Sequence, residues 1–232
     1  MKITFRAFKA THDPETCEKY IRGHVSVLQD YGITNITSNN NLWMFMDCVY
    51  GVVAEDENGE LVGGIRIQIA DGINPLPVEK AVGYMDPSLY DMVKKFIPEG
   101  VGELCGLWNA KSIAGMGISV LLTRAGISIT SQLTCKTLMG ICAGYTLKMF
   151  NRVGFVIDNS LGKGGEFVYP NENYIAWVLG ILNAKDLQTA DPLDRDRMLS
   201  LRNNPVQFYS ELSKDGTADI YYNLVIPPKT IE

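Results

Sequence analysis

Three linked pieces decide the fold: Gly102-Glu103-Leu104-Cys105-Gly106-Leu107-Trp108-Asn109, then Lys111-Ser112-Ile113-Ala114-Gly115-Met116-Gly117-Ile118-Ser119, and at the far end Phe150-Asn151-Arg152-Val153-Gly154-Phe155. The apolar run from Val101 to Leu107 predicts a β-strand. After the glycine turn Gly115-Met116-Gly117, residues Ile118, Leu121, Leu122, Ala125 and Ile129 repeat on one face of an amphipathic helix. Thr137 to Ala143 reads as a strand, Tyr145 to Val153 as a short helix and Gly154 to Ile157 as another strand. A strand that feeds a glycine turn opening a helix aims several backbone N–H groups and a positive helix end at one spot, which suits a phosphate group. Taken alone, the turn is better explained as a tight strand-to-helix connection.

Outward from this stretch, Ile3 to Phe8 reads as an edge strand. Asp13 before Pro14 and Glu15 is a helix start, with a carboxylate cap and proline at the first helical position. The helix runs to about Gln29 and buries a stripe of Cys17, Tyr20, Ile21, His24, Val25 and Leu28. Thr34 to Asn41 is polar and reads as a loop. Tyr50 to Glu55 and Leu61 to Ile69 flank Asp56-Glu57-Asn58-Gly59-Glu60, and two apolar strands about an Asn-Gly turn predict a β-hairpin. Residues 71–100 interrupt the strands with Asn74-Pro75-Leu76-Pro77-Val78-Glu79 and a short helix from about Pro87 to Ile97. Gly162-Gly165 is a turn and Tyr174 to Ile181 a last strand, followed by a more polar segment with one helix near Asp194 to Asn203. The expectation is a mixed α/β (α+β) domain over 1–182, with 71–100 inserted and 183–232 packed on it as an extension.

The 232 residues are 46% hydrophobic and 20% charged, enough to bury a sizeable core. A formal net charge of -5 argues against a general nucleic-acid binder, which carries a basic face. Five dispersed cysteines without CxxC spacing read as buried free thiols of a reducing cytoplasm. The N-terminus lacks a signal-peptide core, no apolar run reaches membrane-spanning length, and the Asn35-Ile36-Thr37 sequon carries no weight without a secretory signal. Two histidines and no clustered acids leave no basis for a catalytic metal.

The order of hairpin, Glu-bearing strand, glycine turn, amphipathic helix, strand, short helix and Arg152-Val153-Gly154-Phe155 resembles the GNAT (GCN5-related N-acetyltransferase) acyltransferases over roughly residues 1–182. The resemblance implies a mostly antiparallel central sheet with one splayed strand pair and helices on its faces. The family's turn reads Gln/Arg-x-x-Gly-x-Gly/Ala. Here Ser112 takes the first place, Lys111 lies beside it, and Gly115 and Gly117 match. By that resemblance acyl-CoA, with acetyl-CoA first, is the donor. Its phosphates would lie on Lys111, Ser112, Gly115, Met116, Gly117, Ile118 and Ser119, and its pantetheine arm along the backbone of Leu107, Trp108 and Asn109. The Pro75-Leu76-Pro77-Val78-Glu79 insertion also resembles the branch that makes acyl-homoserine lactones and long-chain N-acyl amino acids, whose donor is acyl carrier protein.

Glu103 aligns with the family's general base, and a carboxylate in an apolar strand needs a reason because an unpaired buried charge is costly. The plainer alternatives are a solvent-facing strand end or an ion pair with Arg66 or Lys111. The family's thiolate-protonating Tyr falls on Phe150, which has no proton to give; Tyr145 is the substitute candidate, with a packing or capping role as its alternative. Lys111 either supplies charge to a phosphate or is solvated. Arg66 either faces solvent or reaches the acceptor. Cys105 and Cys142 lack an evident His partner, since His12 sits in a loop and His24 on the apolar helix face. The expected protein is a cytoplasmic N-acyltransferase acting on a small-molecule amine by direct attack, without metal, nucleic acid or membrane span. A carrier-protein-dependent enzyme and a non-catalytic acyl-CoA-binding module are the alternatives.

Overall fold

The computed structural model describes residues 2–30, 32, 40–213 and 216–227. The sequon and most of the 34–41 loop lie outside them. Ten strands form one sheet: β1 (Lys2–Lys9), β2 (Val49–Glu55), β3 (Leu61–Ile69), β4 (Val101–Asn109), β5 (Thr137–Ala143), β6 (Val156–Ile157), β7 (Glu166–Val168), β8 (Ile175–Ile181), β9 (Val206–Ser213) and β10 (Gly216–Asn223). Their order is β6-β8-β5-β4-β3-β2-β1-β10-β9, with β7 sharing the outer edge of β8 with β6. Pairing is antiparallel except at β1–β10 and β4–β5.

Among the described residues six α-helices cover the sheet: α1 (Pro14–Asp30), α2 (Pro77–Val82), α3 (Ser88–Phe96), α4 (Ile118–Ile129), α5 (Gly144–Arg152) and α6 (Pro192–Asn203). Asp13 caps α1, its carboxylate accepting the Thr16 N–H at 3.1 Å. The two long helices take opposite faces, as alternation along β3 shows. A Cβ on Gly63 would touch Leu122 of α4, and one on Gly64 would touch Tyr20 of α1. The main core lies under α4, where Ile65, Ile67, Leu104, Leu122, Ala125 and Phe155 meet. A second, built by α2 and α3, packs Leu76, Val78, Leu89 and Val93 on Val101, Met139 and Val178.

Two expectations need correction. The Ile3 to Phe8 strand is not an edge: β1 sits between β2 and β10, in parallel register with the latter from Lys2↔Asp219 to Arg6↔Asn223. The partner comes from the far end of the chain, so no local pattern reveals it. The inserted segment holds two helices, because Pro77 opens α2 and the Glu79 carboxylate reaches back to accept the Leu76 N–H at 2.7 Å, the half of a capping box that needs no polar N-cap. Residues 183–227 add α6 and the β9–β10 pair to the same sheet.

One feature of the sheet positions the site. β4 and β5 pair only from Val101↔Thr137 to Glu103↔Met139, and then part. Beyond that point β4 is bent by a bulge: Arg66 faces Cys105 and Gly64 faces Trp108, so Gly106 and Leu107 together oppose Ile65. Gly106 has φ +63°, a left-handed conformation that costs an L-residue and suits glycine. The bulge opens a wedge, and Glu103 stands at its apex.

Candidate active site

The wedge encloses a cavity of about 220 Å³. Its floor is Glu103, Cys105, Gly106 and Leu107 of β4; its other walls include Ile141 and Cys142 of β5, His24 of α1 and Phe150 of α5. Most of this lining is apolar.

Glu103 is the one carboxylate among the lining residues. It has 0% exposure, and its Oε2 accepts the Val78 N–H of α2 at 2.6 Å, while Oε1 has no hydrogen-bond partner among the described residues. Burial pushes its carboxyl up to about 8, against the lowering effects of the Val78 N–H and the Arg66 charge. The side chain therefore holds or releases a proton near neutrality, in a residue that lines the cavity. The solvent-facing alternative is excluded, and so is a pair with Lys111, whose Nζ meets Asp30 at 3.0 Å.

Arg66 does not face solvent either. It is 1% exposed, stacked 4.3 Å over the Trp43 ring, and its charge acts on the Tyr20 hydroxyl. It lines a second, smaller hollow with Gln68, Lys80 and Trp43. Tyr145 is at the rim, in the first turn of α5, with 81% exposure. Phe150 is buried and meets Phe155 edge-on at 5.4 Å.

The turn lies at the outer end of β4, beyond the cavity. Gly115 and Gly117 have φ of +83° and +74°, and Gly117 is the N-cap of α4. Glycine here leaves the first-turn N–H groups uncovered by any side chain; such groups have no intrahelical acceptor. Ser112 is exposed, Met116 packs at the core's margin and the Ile118 side chain is buried. Ser119 donates to Asn109 Oδ1 at 2.5 Å, tying the end of β4 to the start of α4. The Trp108 side chain turns away from the turn into the cluster with Tyr20 and Trp43. The structure brings Glu103, Leu107 and Tyr145 to one cavity, while Trp108, Asn109 and residues 111–119 are not among the residues that line it and Arg66 lines the separate hollow.

Sequence reasoning missed the helix α1 contribution. His24 lines the cavity, with burial pushing its imidazole down to about 4, and Tyr20 donates its hydroxyl proton to the Gly106 carbonyl. Both sit on the stripe read as core. The available signal was that two of its members carry polar tips four residues apart, which a helix stacks on one face.

By sequence, the chain matches no protein-family model and no curated protein. Its fold does match solved structures. FeeM, an N-acyl amino acid synthase from uncultured soil microbes, superposes with a TM-score of 0.61 at 13% identity, over 81% of this chain and 99% of that one. Escherichia coli ElaA gives 0.54 at 10%, over 77% and 98%. BjaI, a CoA-dependent acyl-homoserine lactone synthase, gives 0.55 at 11%, over 87% and 90%. The chain has the GNAT fold, with the fold of the acyl-homoserine lactone and N-acyl amino acid synthases among its likenesses.

Proposed function

We propose that the protein is an N-acyltransferase that moves an acyl group from an acyl thioester, acyl-CoA, to the amine of a small acceptor by direct attack. The observation that carries this reading is the fully buried Glu103 with one carboxylate oxygen unpaired at the apex of the splayed strands. Glu103 Oε1 takes a proton from the attacking nitrogen, and the backbone N–H groups of the β4 bulge face the oxygen that becomes negative. Collapse of the tetrahedral adduct breaks the C–S bond and releases the thiolate, which is protonated by water or by Tyr145, since Phe150 cannot serve. The N–H groups at Gly115 to Ser119 hold the donor's phosphates. Among the described residues no group of three or more His, Cys, Asp or Glu could hold a metal ion.

The cavity supports an acyl group longer than acetyl. A volume of about 220 Å³ holds roughly seven groups the size of a water molecule at ~30 Å³ each. Ile65, Leu104, Leu107, Ile141 and Phe150 give it an apolar wall. A second reading, with a carrier protein as donor, is favoured by the turn itself. Ser112 replaces the family's Gln or Arg and Lys111 is engaged by Asp30, so the turn offers little cationic grip for a pyrophosphate that a carrier-borne pantetheine lacks. Five free thiols fit a reducing cytoplasm, and no helix among the described residues is long and apolar enough to cross a membrane.

The test is thermal melting with acetyl-CoA, hexanoyl-CoA, decanoyl-CoA and free CoA, on the wild type and Gly117→Glu. A ligand of the native state raises the melting temperature. The expected result is a shift that grows with chain length and is lost in the variant. No shift with any of them would sink CoA as the donor and direct the same panel to acyl carrier protein.

A further inference from the structure

A guanidinium buried on an apolar strand and a tyrosine buried on an apolar helix stripe meet at one peptide. The Tyr20 hydroxyl donates to the Gly106 carbonyl, the Arg66 guanidinium lies beside the same glycine and its charge acts on that hydroxyl, and Trp43 backs the guanidinium at 4.3 Å. The packing is close from both sides. A Cβ built on Gly106 would lie 2.9 Å from Tyr20 Oη and 3.2 Å from Arg66 Nε. The Tyr20 ring is held edge-on by Trp43 at 5.6 Å and by Trp108 at 5.9 Å. No backbone group in an ordinary sheet needs such an arrangement, because its neighbouring strand satisfies it. Here the bulge takes residues 106 and 107 out of the pairing with β3, and the side chains of α1 and β3 supply the partner instead.

A trans peptide carries its N–H opposite its C=O. Anchoring the Gly106 carbonyl on α1 therefore turns the Leu107 N–H away from α1, and both residues line the cavity. A carbonyl that accepts from a charge-assisted donor also polarises its own N–H, since hydrogen bonds in a chain reinforce one another. We propose that Arg66 and Tyr20 are positioning residues that aim and strengthen the Leu107 N–H as the hydrogen-bond donor to the thioester carbonyl oxygen. This rests on the acyl-thioester reading and deepens it. It also gives Arg66 a role in the donor half of the site rather than in recognising the acceptor.

The experiment compares two donor analogues of equal chain length, one with the carbonyl and one without. One is a ketone in which CH2 replaces the thioester sulfur of hexanoyl-CoA, keeping the carbonyl. The other is S-hexyl-CoA, a thioether without one. Affinities are measured by calorimetry on wild type, Tyr20→Phe and Arg66→Met, with circular dichroism and melting to verify folding. The expected result is a roughly tenfold preference of the wild type for the ketone, the scale of one well-made hydrogen bond. Tyr20→Phe abolishes that preference while S-hexyl-CoA binds as before, and Arg66→Met reduces it.

Because the ring and its packing survive in Tyr20→Phe, a purely structural role would weaken both analogues equally. An undiminished ketone preference in the folded variant overturns the proposal and leaves the thioester reading intact. Failure of both analogues to bind wild type overturns both. Should Tyr20→Phe not fold, the amide proton shift of Leu107 in Arg66→Met serves. An upfield move, meaning a weaker donor, supports the relay, and an unchanged shift overturns it.

Discussion

Glu103 and Asp194 are both carboxylates with almost no exposure, and they are held in opposite ways. Asp194, at the start of α6, has both oxygens engaged: Oδ1 meets Arg124 Nε at 2.5 Å, and Oδ2 meets Arg152 Nε at 2.9 Å. Arg124 reaches on to Glu211 of β9 at 3.4 Å. Glu211 also accepts from Arg197 at 3.1 Å and from the Tyr222 hydroxyl at 3.0 Å. Five elements are tied together by charges that satisfy one another. Among the described residues Glu103 has one hydrogen-bond partner, the Val78 N–H, and its second oxygen has none. A buried charge that is saturated with partners is part of the architecture. One left half-satisfied costs stability and is retained where that oxygen has work elsewhere.

The largest effect expected from this contrast is on rate. Glu103→Gln keeps the shape and removes the base, so turnover should fall by about 10² to 10⁴-fold with donor affinity little changed. Above about pH 8 the variant should melt no lower than wild type, because there the wild type buries an ionised carboxylate and the variant a neutral amide. The converse change is Asp194→Ala. It strands Arg124 and Arg152 and should cost about 3–5 kcal/mol of stability by denaturant unfolding, with the folded fraction retaining its rate per molecule. If Asp194→Ala lost activity while staying fully stable, or Glu103→Gln unfolded while staying active, the distinction between the two carboxylates would be wrong.

A smaller and sharper effect is on pH. The native Glu103 carboxyl keeps its proton to about 8, whereas an unfolded one releases it near 4.5. Between those values the native state binds more protons than the unfolded state, so this group makes wild-type stability decline as pH rises across the window. Glu103→Gln removes that slope, and the melting difference between the two proteins should widen in the variant's favour from pH 5 to pH 8. The acylation rate should run the other way, rising with pH to a plateau above about 8 as the base loses its proton.

The same contrast explains what was legible in the sequence. The strand, turn, helix and closure from Gly102 to Phe155 were readable because each signal is local: alternation, glycine at positive φ, a helical stripe. Glu103 stood out as the one acid in an apolar run. The β9–β10 pair was not readable, since Glu211 and Asp219 break its apolar character and its partner, β1, begins at Lys2. Arg66 could be flagged but not placed, because its surroundings come from Tyr20, Trp43 and the bulge, three separate parts of the chain. Tyr20 and His24 were hidden by a correct inference. They do lie on the buried face of α1, but that face covers a cavity as well as a core.

Tyr145 supplies the smallest predicted effect. The resemblance to the GNAT enzymes assigns the leaving thiolate a tyrosine proton, and Phe150 occupies that place. Tyr145 is the phenol on α5 at the cavity rim, but its 81% exposure puts the hydroxyl where water competes for the same task. A proton donor that water can replace contributes little, so Tyr145→Phe should lower the acylation rate by no more than about threefold, well below the 10²-fold or more typical of a positioned acid. A larger loss, without a matching rise in KM for the donor, would make Tyr145 the acid. It would also mean that the rim closes over the thioester during turnover, removing the water that now reaches it.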